Sequence, residues 1–320
     1  ALQGLRAKGM AVIFISHKLD EVLRVADEVT VVRAGETVAE VKAKDVTPRQ
    51  LAELMVGSEL PQPTTHGNTR RPEVTLALKD VSIPTATGSR DLISHISFNL
   101  HAGEVVGIAG VEGNGQAELI EAIMGLRDYT GSIEFLGSSI DHLTVAHRHD
   151  LGIGLIPEDR QRQALMMNSP LWENRILGHQ RGKPVMHGAI LDKKATIADT
   201  KRIMQEFDVR APGPMTAAAA LSGGNQQKFI VGREMSKAPA LLLASHPTRG
   251  VDVGAQGAIW EVLREARSKG MAIVLISADL EELIGMSDRL LVMLRGAITA
   301  ELDPQKTTPE QLGSAMTGAA

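Results

Sequence analysis

The chain has 320 residues, 43% hydrophobic and 22% charged, enough apolar material for one large globular domain or two ordinary ones. A net charge of −4 with no large basic block gives no support for a nucleic-acid surface, and the lack of cysteine removes disulfides and thiolate metal sites. No apolar run approaches the roughly 18–20 residues that a membrane-spanning helix needs. Aromatic residues are few, so the core has to be mostly aliphatic.

The first residues, Ala1 to Gly9, read as the middle of a helix, with neither an initiator Met nor a signal-like start. The expectation is a chain whose beginning is missing. An internal repeat points the same way. Lys8-Gly9-Met10-Ala11 recurs as Lys269-Gly270-Met271-Ala272, an offset of 261. Residues 7–57 align on 268–318 without a gap, with 19 of 51 positions identical. Two units of similar composition would not by themselves hold a gap-free register, so the pattern reads as a tandem protein. On this reading residues 1–60 are the C-terminal remnant of a first copy. Residues 61–72, rich in Pro, Thr and Arg, are a linker, and residues 73–320 are a nearly complete second copy.

Along the second copy, apolar strands are expected at Val74–Leu78, Glu104–Ala109, Ser132–Gly137, Ile153–Pro157, Leu241–Ala244 and Ala272–Ile276. Amphipathic helices are expected at Gln116–Met124, Ala195–Asp208, Trp260–Lys269 and Leu280–Met286, and residues of about 160–235 read as helix-rich. The continuous apolar runs at 241–244 and 272–276 suit parallel strands covered on both faces. Strands alternating with helices give an α/β layer fold with a mostly parallel sheet, whose ligands sit at the C-terminal strand ends.

Gly110-Val111-Glu112-Gly113-Asn114-Gly115-Gln116-Ala117 follows a strand and opens a helix, the placement of a phosphate-binding loop of pattern G-x-x-x-x-G-K-[ST]. The glycines stand at the right spacing. Gln116, however, replaces the lysine that reaches the β/γ-phosphates, Ala117 replaces the metal-binding hydroxyl, and Glu118 adds a carboxylate to the first helical turn. A dinucleotide fingerprint fits worse, because its last glycine would fall on Glu118. A second phosphate cradle is the octet Leu221-Ser222-Gly223-Gly224-Asn225-Gln226-Gln227-Lys228, a hydroxyl and two glycines at the start of a helix.

The octet LSGGNQQK resembles the signature motif of ABC-type ATPases in the form typical of simple-sugar and nucleoside importers. Pro247-Thr248-Arg249-Gly250-Val251-Asp252, Ile156-Pro157-Glu158-Asp159-Arg160 and Phe207-Asp208-Val209-Arg210 are similar to further motifs of the tandem ATPase subunit of those importers, and GVEGNGQAEL leans toward its nucleoside-type members. The resemblance covers essentially the whole chain and implies a P-loop NTPase-like ABC nucleotide-binding domain with a helical subdomain. It also implies ATP and Mg²⁺ as cofactors, transmembrane permease subunits as partners, an indirect link to a solute-binding protein, and a peripheral position at the cytoplasmic face of the plasma membrane.

The same resemblance exposes departures. The family carries an Asp and a Glu just before Pro-Thr, where this chain has Ser245 and His246; the Asp holds the metal shell and the Glu orients or activates the attacking water. The switch histidine of the family matches His17 in the first copy, whereas the second copy has Ala278 at the aligned position. Losing two such groups, at roughly 10² each, would cost on the order of 10⁴ in rate. The second copy is therefore expected not to hydrolyse ATP on its own loop, although Gly110, Gly113, Asn114, Gly115 and Gln116 remain candidates to hold nucleotide. Ser222, Gly223, Gly224 and Gln226 are expected to close on ATP bound by the first copy, with His17 catalytic in that composite site. Asp252 is expected in the loop that crosses the dimer interface, and Glu158 at the position that couples the nucleotide to the permease. A non-transport ABC ATPase and a regulatory pseudo-ATPase are the alternatives.

Overall fold

The computed structural model describes residues 2–7, 9–16, 19–33, 35–57, 67, 69–85, 91–188 and 190–319. The chain divides into two compact units, Ala1–Gln62 with Asp252–Gly257, and Pro63–Val251 with Ala258–Ala320.

In the first unit, helices α1 (Leu2–Ala7) and α2 (Leu19–Val25) precede the antiparallel pair β1 (Glu28–Arg33) and β2 (Glu36–Lys42), and α3 (Pro48–Val56) closes the run. Helix α3 begins with a capping box. Thr47 accepts from the Gln50 amide while the Gln50 side chain accepts from the Thr47 amide, which satisfies two otherwise orphaned donors. Val22, Val31 and Leu51 form a small apolar cluster.

The second unit opens on two long strands, β3 (Val74–Pro84) and β4 (Asp91–His101), followed by β5 (Val105–Ala109) and α4 (Gln116–Met124). Then come β6 (Thr130–Phe135), β7 (Ser138–Ser139), α5 (Val145–Asp150) and β8 (Ile153–Ile156). The middle of the unit holds α6 (Leu171–Asn174), the two-residue strands β9 (Met186–His187) and β10 (Ile190–Leu191), α7 (Lys193–Glu206) and α8 (Gly223–Met235). The remainder is β11 (Leu241–Ser245), α9 (Val253–Ser268, counted with the first unit as far as Gly257), β12 (Ala272–Ile276), α10 (Leu280–Met286), β13 (Arg289–Leu294), β14 (Ala297–Leu302) and α11 (Pro309–Thr317).

Two sheets result. The larger has the order β14-β13-β5-β12-β11-β8, with every pair parallel except β13 and β14. The smaller, β4-β3-β6-β7, is antiparallel throughout. Alternate residues of the parallel strands face opposite ways, as the two-residue strand period requires. Leu242, Ala244, Ile273 and Leu275 join the core shared with Phe229, Ile230, Ile259 and Leu283 of the helices. Leu241, Leu243, Ala272 and Val274 join the core shared with the antiparallel sheet and with Leu119 and Ile123 of α4.

The sequence reading is corrected in two places. The six-stranded sheet is mostly parallel as read, with β14 its one antiparallel strand, but it is accompanied by an antiparallel sheet that the pattern did not announce. Residues 165–192 are mostly turn, because Gly178, Gly182, Gly188 and Pro184 interrupt the helical periodicity there.

The repeat has a counterpart in local structure. Adding 261 to the bounds of α2, β1 and α3 gives those of α10, β13 and α11. The bulge between Val31 and Val32 recurs between Val292 and Met293. The capping box at Thr47 recurs at Thr308 with Gln311.

Candidate functional site

The parallel register sets four strand ends side by side. Ile156 pairs with Ala244, Ser245 with Ile276, and Ile276 with Ile108. The loops that leave these ends carry Gly110–Gln116, Glu158, His246 and Ala278, which is the edge where an open parallel sheet offers a ligand site.

The phosphate-type loop is built as its glycines predict. Gly113 and Gly115 sit at φ +87° and +107°, and a Cβ on Gly115 would lie 2.7 Å from Ile93 Cγ2. Asn114 ties the loop to the β13–β14 turn. Its Oδ1 accepts from the Arg295 amide at 2.9 Å, and its carbonyl accepts from Gly296 at 3.0 Å. Gln116 is buried and turns back over the loop, so that a Cβ on Gly110 would lie 2.3 Å from Gln116 Nε2. A lysine in a phosphate loop projects its charge toward the anion; this amide instead lies across the start of the loop.

At the neighbouring strand end, Ser245 is buried and His246 adopts φ +50°. The His246 amide donates to Ile276 O at 2.7 Å, and its Nδ1 accepts from the Ala278 amide at 3.2 Å. Nδ1 is therefore occupied as an acceptor and Nε2 carries the proton of the neutral ring. Burial pushes the His246 pKa down, against the raising effect of Glu158 and Glu112. A neutral ring whose lone pair is spent on a backbone amide is not placed to act as a general base.

Glu158 accepts from Arg249 Nη1 at 2.5 Å. Arg249 in turn accepts through its carbonyl from Arg160 Nη1 at 2.6 Å, and Arg160 Nη2 donates to Gly250 O at 3.2 Å. The same guanidinium donates through Nε to Gln226 Oε1 at 3.3 Å. Arg160 thus fastens the start of α8 to the 249–250 loop. Ser222 is the N-cap of α8, exposed, with its Oγ accepting from Asn225 Nδ2 at 3.0 Å. A Cβ on Gly223 would lie 2.9 Å from Gly250 O, and Gly224 is buried. Gln226 faces inward, its amide donating to Ala218 O and Leu221 O, so its side chain braces the turn and is not presented to a ligand. Asp252 accepts from the Ala255 amide at 2.9 Å at the head of α9. His17 lies outside the described residues.

Residues 93–249 match the family model described as ABC transporter. That stretch has the fold of an ABC nucleotide-binding domain. A nucleotide-free ATP-binding cassette from an ABC transporter superposes with a TM-score of 0.62 at 20% identity, covering 76% of this chain and 95% of that one. A dimeric ATP-binding cassette in a post-hydrolysis state bound to ADP and Pi gives 0.61 at 20% identity, covering 72% of this chain and all of that one; likeness at this identity speaks to the fold. Among curated relatives, a nucleoside import ATP-binding protein, NupA, of Lactococcus lactis subsp. cremoris is 39% identical over 99% of this chain and 63% of its own length. A guanosine import ATP-binding protein, NupO, of Bacillus subtilis is 40% identical over 99% of this chain and 62% of its own length. A glucose import ATP-binding protein, TsgD13, of Haloferax volcanii is 40% identical over 99% and 58%. The chain spans about three fifths of the length of these relatives.

Within the ABC domain the two cradles differ in what they fit. The head of α8 has an exposed hydroxyl and first-turn amides without intrahelical partners, which suits an anion. The phosphate loop has glycine geometry for an anion, but the residues beside it do not fit Mg²⁺. Ala117 has no hydroxyl, and the end of β11 carries Ser245 and His246, neither of which offers a carboxylate. Among the described residues no hydrogen bond joins the 222–228 stretch to the 110–118 loop.

Three functional contacts escaped the sequence reading. Arg160 and Arg249 stood in quoted motifs, yet only the fold reveals that they chain Glu158 to the head of α8. Glu282 is the third. It is 1% exposed and accepts from Thr248 Oγ1 at 2.8 Å, Trp260 Nε1 at 2.7 Å and Ser277 Oγ at 2.5 Å. Its only sequence signal was the repeat, which aligns Glu21 and Ser16 with Glu282 and Ser277.

Proposed function

We propose that the chain is part of the energy-coupling ATP-binding subunit of an ABC importer for a simple sugar or nucleoside. In this reading the 73–320 copy lends its signature helix to ATP held by a preceding copy, of which residues 1–60 are the tail. The observation that carries it is the contrast inside one domain: the head of α8 is exposed and anion-ready, while the domain's own phosphate loop has Gln116 folded across it and Ser245 and His246 beside it.

Ser222, Gly223 and Gly224 then contribute a hydroxyl and backbone amides to a phosphate on the opposing domain. His17 stands on that opposing side, and Asp252 at the interface between the two halves. Bound Mg²⁺ would supply charge neutralisation at the phosphates of that composite site, and its ligands belong to the other half. Ion-paired with Arg249, Glu158 links the strand end to the segment of about 160–235, the face proposed to meet the permease. The domain's own loop holds nucleotide at most, without turnover. Nucleoside-type cargo is favoured by the GVEGNGQAEL loop and by relatives whose names give nucleoside and guanosine import.

The test uses the polypeptide carrying both nucleotide-binding halves, assayed for ATP hydrolysis. Ser222→Arg places a long cation at the exposed cap and is expected to abolish hydrolysis, whereas Glu118→Ala is expected to leave turnover nearly unchanged. Full activity of the Ser222→Arg protein would remove the signature assignment.

A further inference from the structure

His149 lies in the last turn of α5, His179 follows Gly178 in the turns after α6, and Glu234 lies in the last turn of α8, the signature helix. These positions are far apart in sequence, yet one ligand atom from each falls within 4.8 Å of the others, the one such cluster of His and carboxylate groups among the described residues. His149 Nε2 and Glu234 Oε2 are 3.4 Å apart. Two ligands about a tetrahedral zinc, with bonds of about 2.0–2.1 Å, stand about 3.3 Å apart. The His149 and His179 rings meet edge to face with centroids 4.8 Å apart.

The imidazoles are short of partners. His179 is 1% exposed, and neither of its ring nitrogens has a hydrogen-bond partner; His149 Nδ1 is likewise buried and unpartnered. Leaving such a group unsatisfied costs about 1–3 kcal/mol. A packed pair of rings explains their proximity but gives the buried His179 ring no polar partner, which a metal on one of its nitrogens would supply. Room for the approach is made by Gly178, at φ +75°, where a Cβ would lie 3.2 Å from His149 Nε2.

The Glu234 carboxylate turns one oxygen toward Arg233 and the other toward His149. Arg233 Nε occupies Glu234 Oε1 at 2.9 Å, and the Leu155 amide donates to Oε2 at 3.3 Å, the oxygen that faces His149. Arg175, the other buried guanidinium of this region, is paired with Asp199 at 2.6 Å. Two imidazoles and one carboxylate are a borderline nitrogen–oxygen donor set. It suits Zn²⁺ and its first-row neighbours and not Mg²⁺ or Ca²⁺, which take oxygen ligands in greater number.

We propose that His149, His179 and Glu234 bind a transition-metal dication of the zinc class, with the fourth position left to water. The metal clamps the C-terminal turn of α8 to α5 and to the 178–179 turn, and through the Leu155–Glu234 hydrogen bond to β8. Its role is structural. It fixes the rear of the helix whose front carries Ser222, about 18 Å away at 1.5 Å per residue.

The test is metal analysis of the purified chain, stripped with a chelator and dialysed against Zn²⁺. The expected result is one equivalent retained per chain and a higher thermal midpoint with Zn²⁺ than without it. Substituting Co²⁺ should give the visible absorption of a tetrahedral nitrogen–oxygen site. His149→Gln and His179→Gln should each lose the retained equivalent, and His147→Gln, on the exposed side of α5, should keep it. Wild-type chain that retains less than a tenth of an equivalent overturns the proposal and leaves a packed histidine pair with buried water. Full retention by His179→Gln overturns it equally, by placing the metal elsewhere. If a variant fails to fold, wild-type stoichiometry and the Co²⁺ spectrum still decide.

Discussion

Glu282 shows what one buried side chain does for the site edge. It collects hydrogen bonds from the 245–250 loop, from the end of β12 and from α9, so three loops and helices share one carboxylate. Burial raises its pKa above 4.5, and the three donors pull the other way without cancelling the shift. The sign of its effect on stability follows. A group whose folded pKa is raised holds its proton more tightly in the native state, so its contribution is full below about pH 4.5 and is lost as pH rises through the folded value. Glu282→Gln keeps the shape and removes the titration. Denaturant unfolding of both proteins between pH 4 and 7 should show the wild-type advantage over Glu282→Gln shrinking as pH rises. An advantage that grows with pH would mean that the carboxylate is stabilised in its charged form. At this scale the sequence was legible where a residue type has few uses, as for Gly115 and Ser222. It marked Glu282 only through the repeat alignment, because one of two adjacent glutamates on an amphipathic helix looks like any solvated charge.

The signature helix belongs to the scale of elements. Its head is held by contacts from two other segments, Arg160 on one side and Gly250 on the other. Arg160→Ala should cost about 1–2 kcal/mol, because it leaves the Gln226, Arg249 and Gly250 oxygens without this donor. Gly223→Ala should cost about 1–3 kcal/mol by overpacking. The two are in contact and should not add. A methyl at 223 meets two obstacles, the flexible Arg160 fork at 2.7 Å and the Gly250 carbonyl at 2.9 Å. In the Arg160→Ala background the Gly223→Ala penalty should therefore fall but persist; its disappearance in a denaturant titration would exclude the carbonyl as a barrier. Elements with one clean period were read well, and α4 and β12 have the bounds the pattern gave. Strand β4 was missed for a physical reason. His95 sits at φ +52°, and the buried positions run Ile93, Ile96, Phe98, Leu100, so a step of three interrupts the two-residue alternation. Strand β3 carries several register irregularities of the same kind, and only its first five residues looked like a strand.

For the molecule as a whole, the informative comparison is between segments of like sequence and unlike surroundings. Residues 11–15 read AVIFI and align by the 261 offset with β12, AIVLI. In β12 all five residues are buried between two parallel neighbours. In the first unit Ile13 and Ile15 are 97% and 99% exposed, and no strand is formed at 11–15. The same contrast separates β1 from β13. Among the described residues β1 pairs with β2 alone, whereas β13 lies between β14 and β5. A two-stranded ribbon with a small apolar cluster is marginal, whereas a strand inside a six-stranded sheet opens only with its domain. Native-state hydrogen exchange on this chain should therefore find the β1 amides exchanging at least ~100-fold faster than their partners in β13, a difference of about 2.7 kcal/mol in opening free energy. Equal protection would mean that the first unit is stabilised to the level of the second.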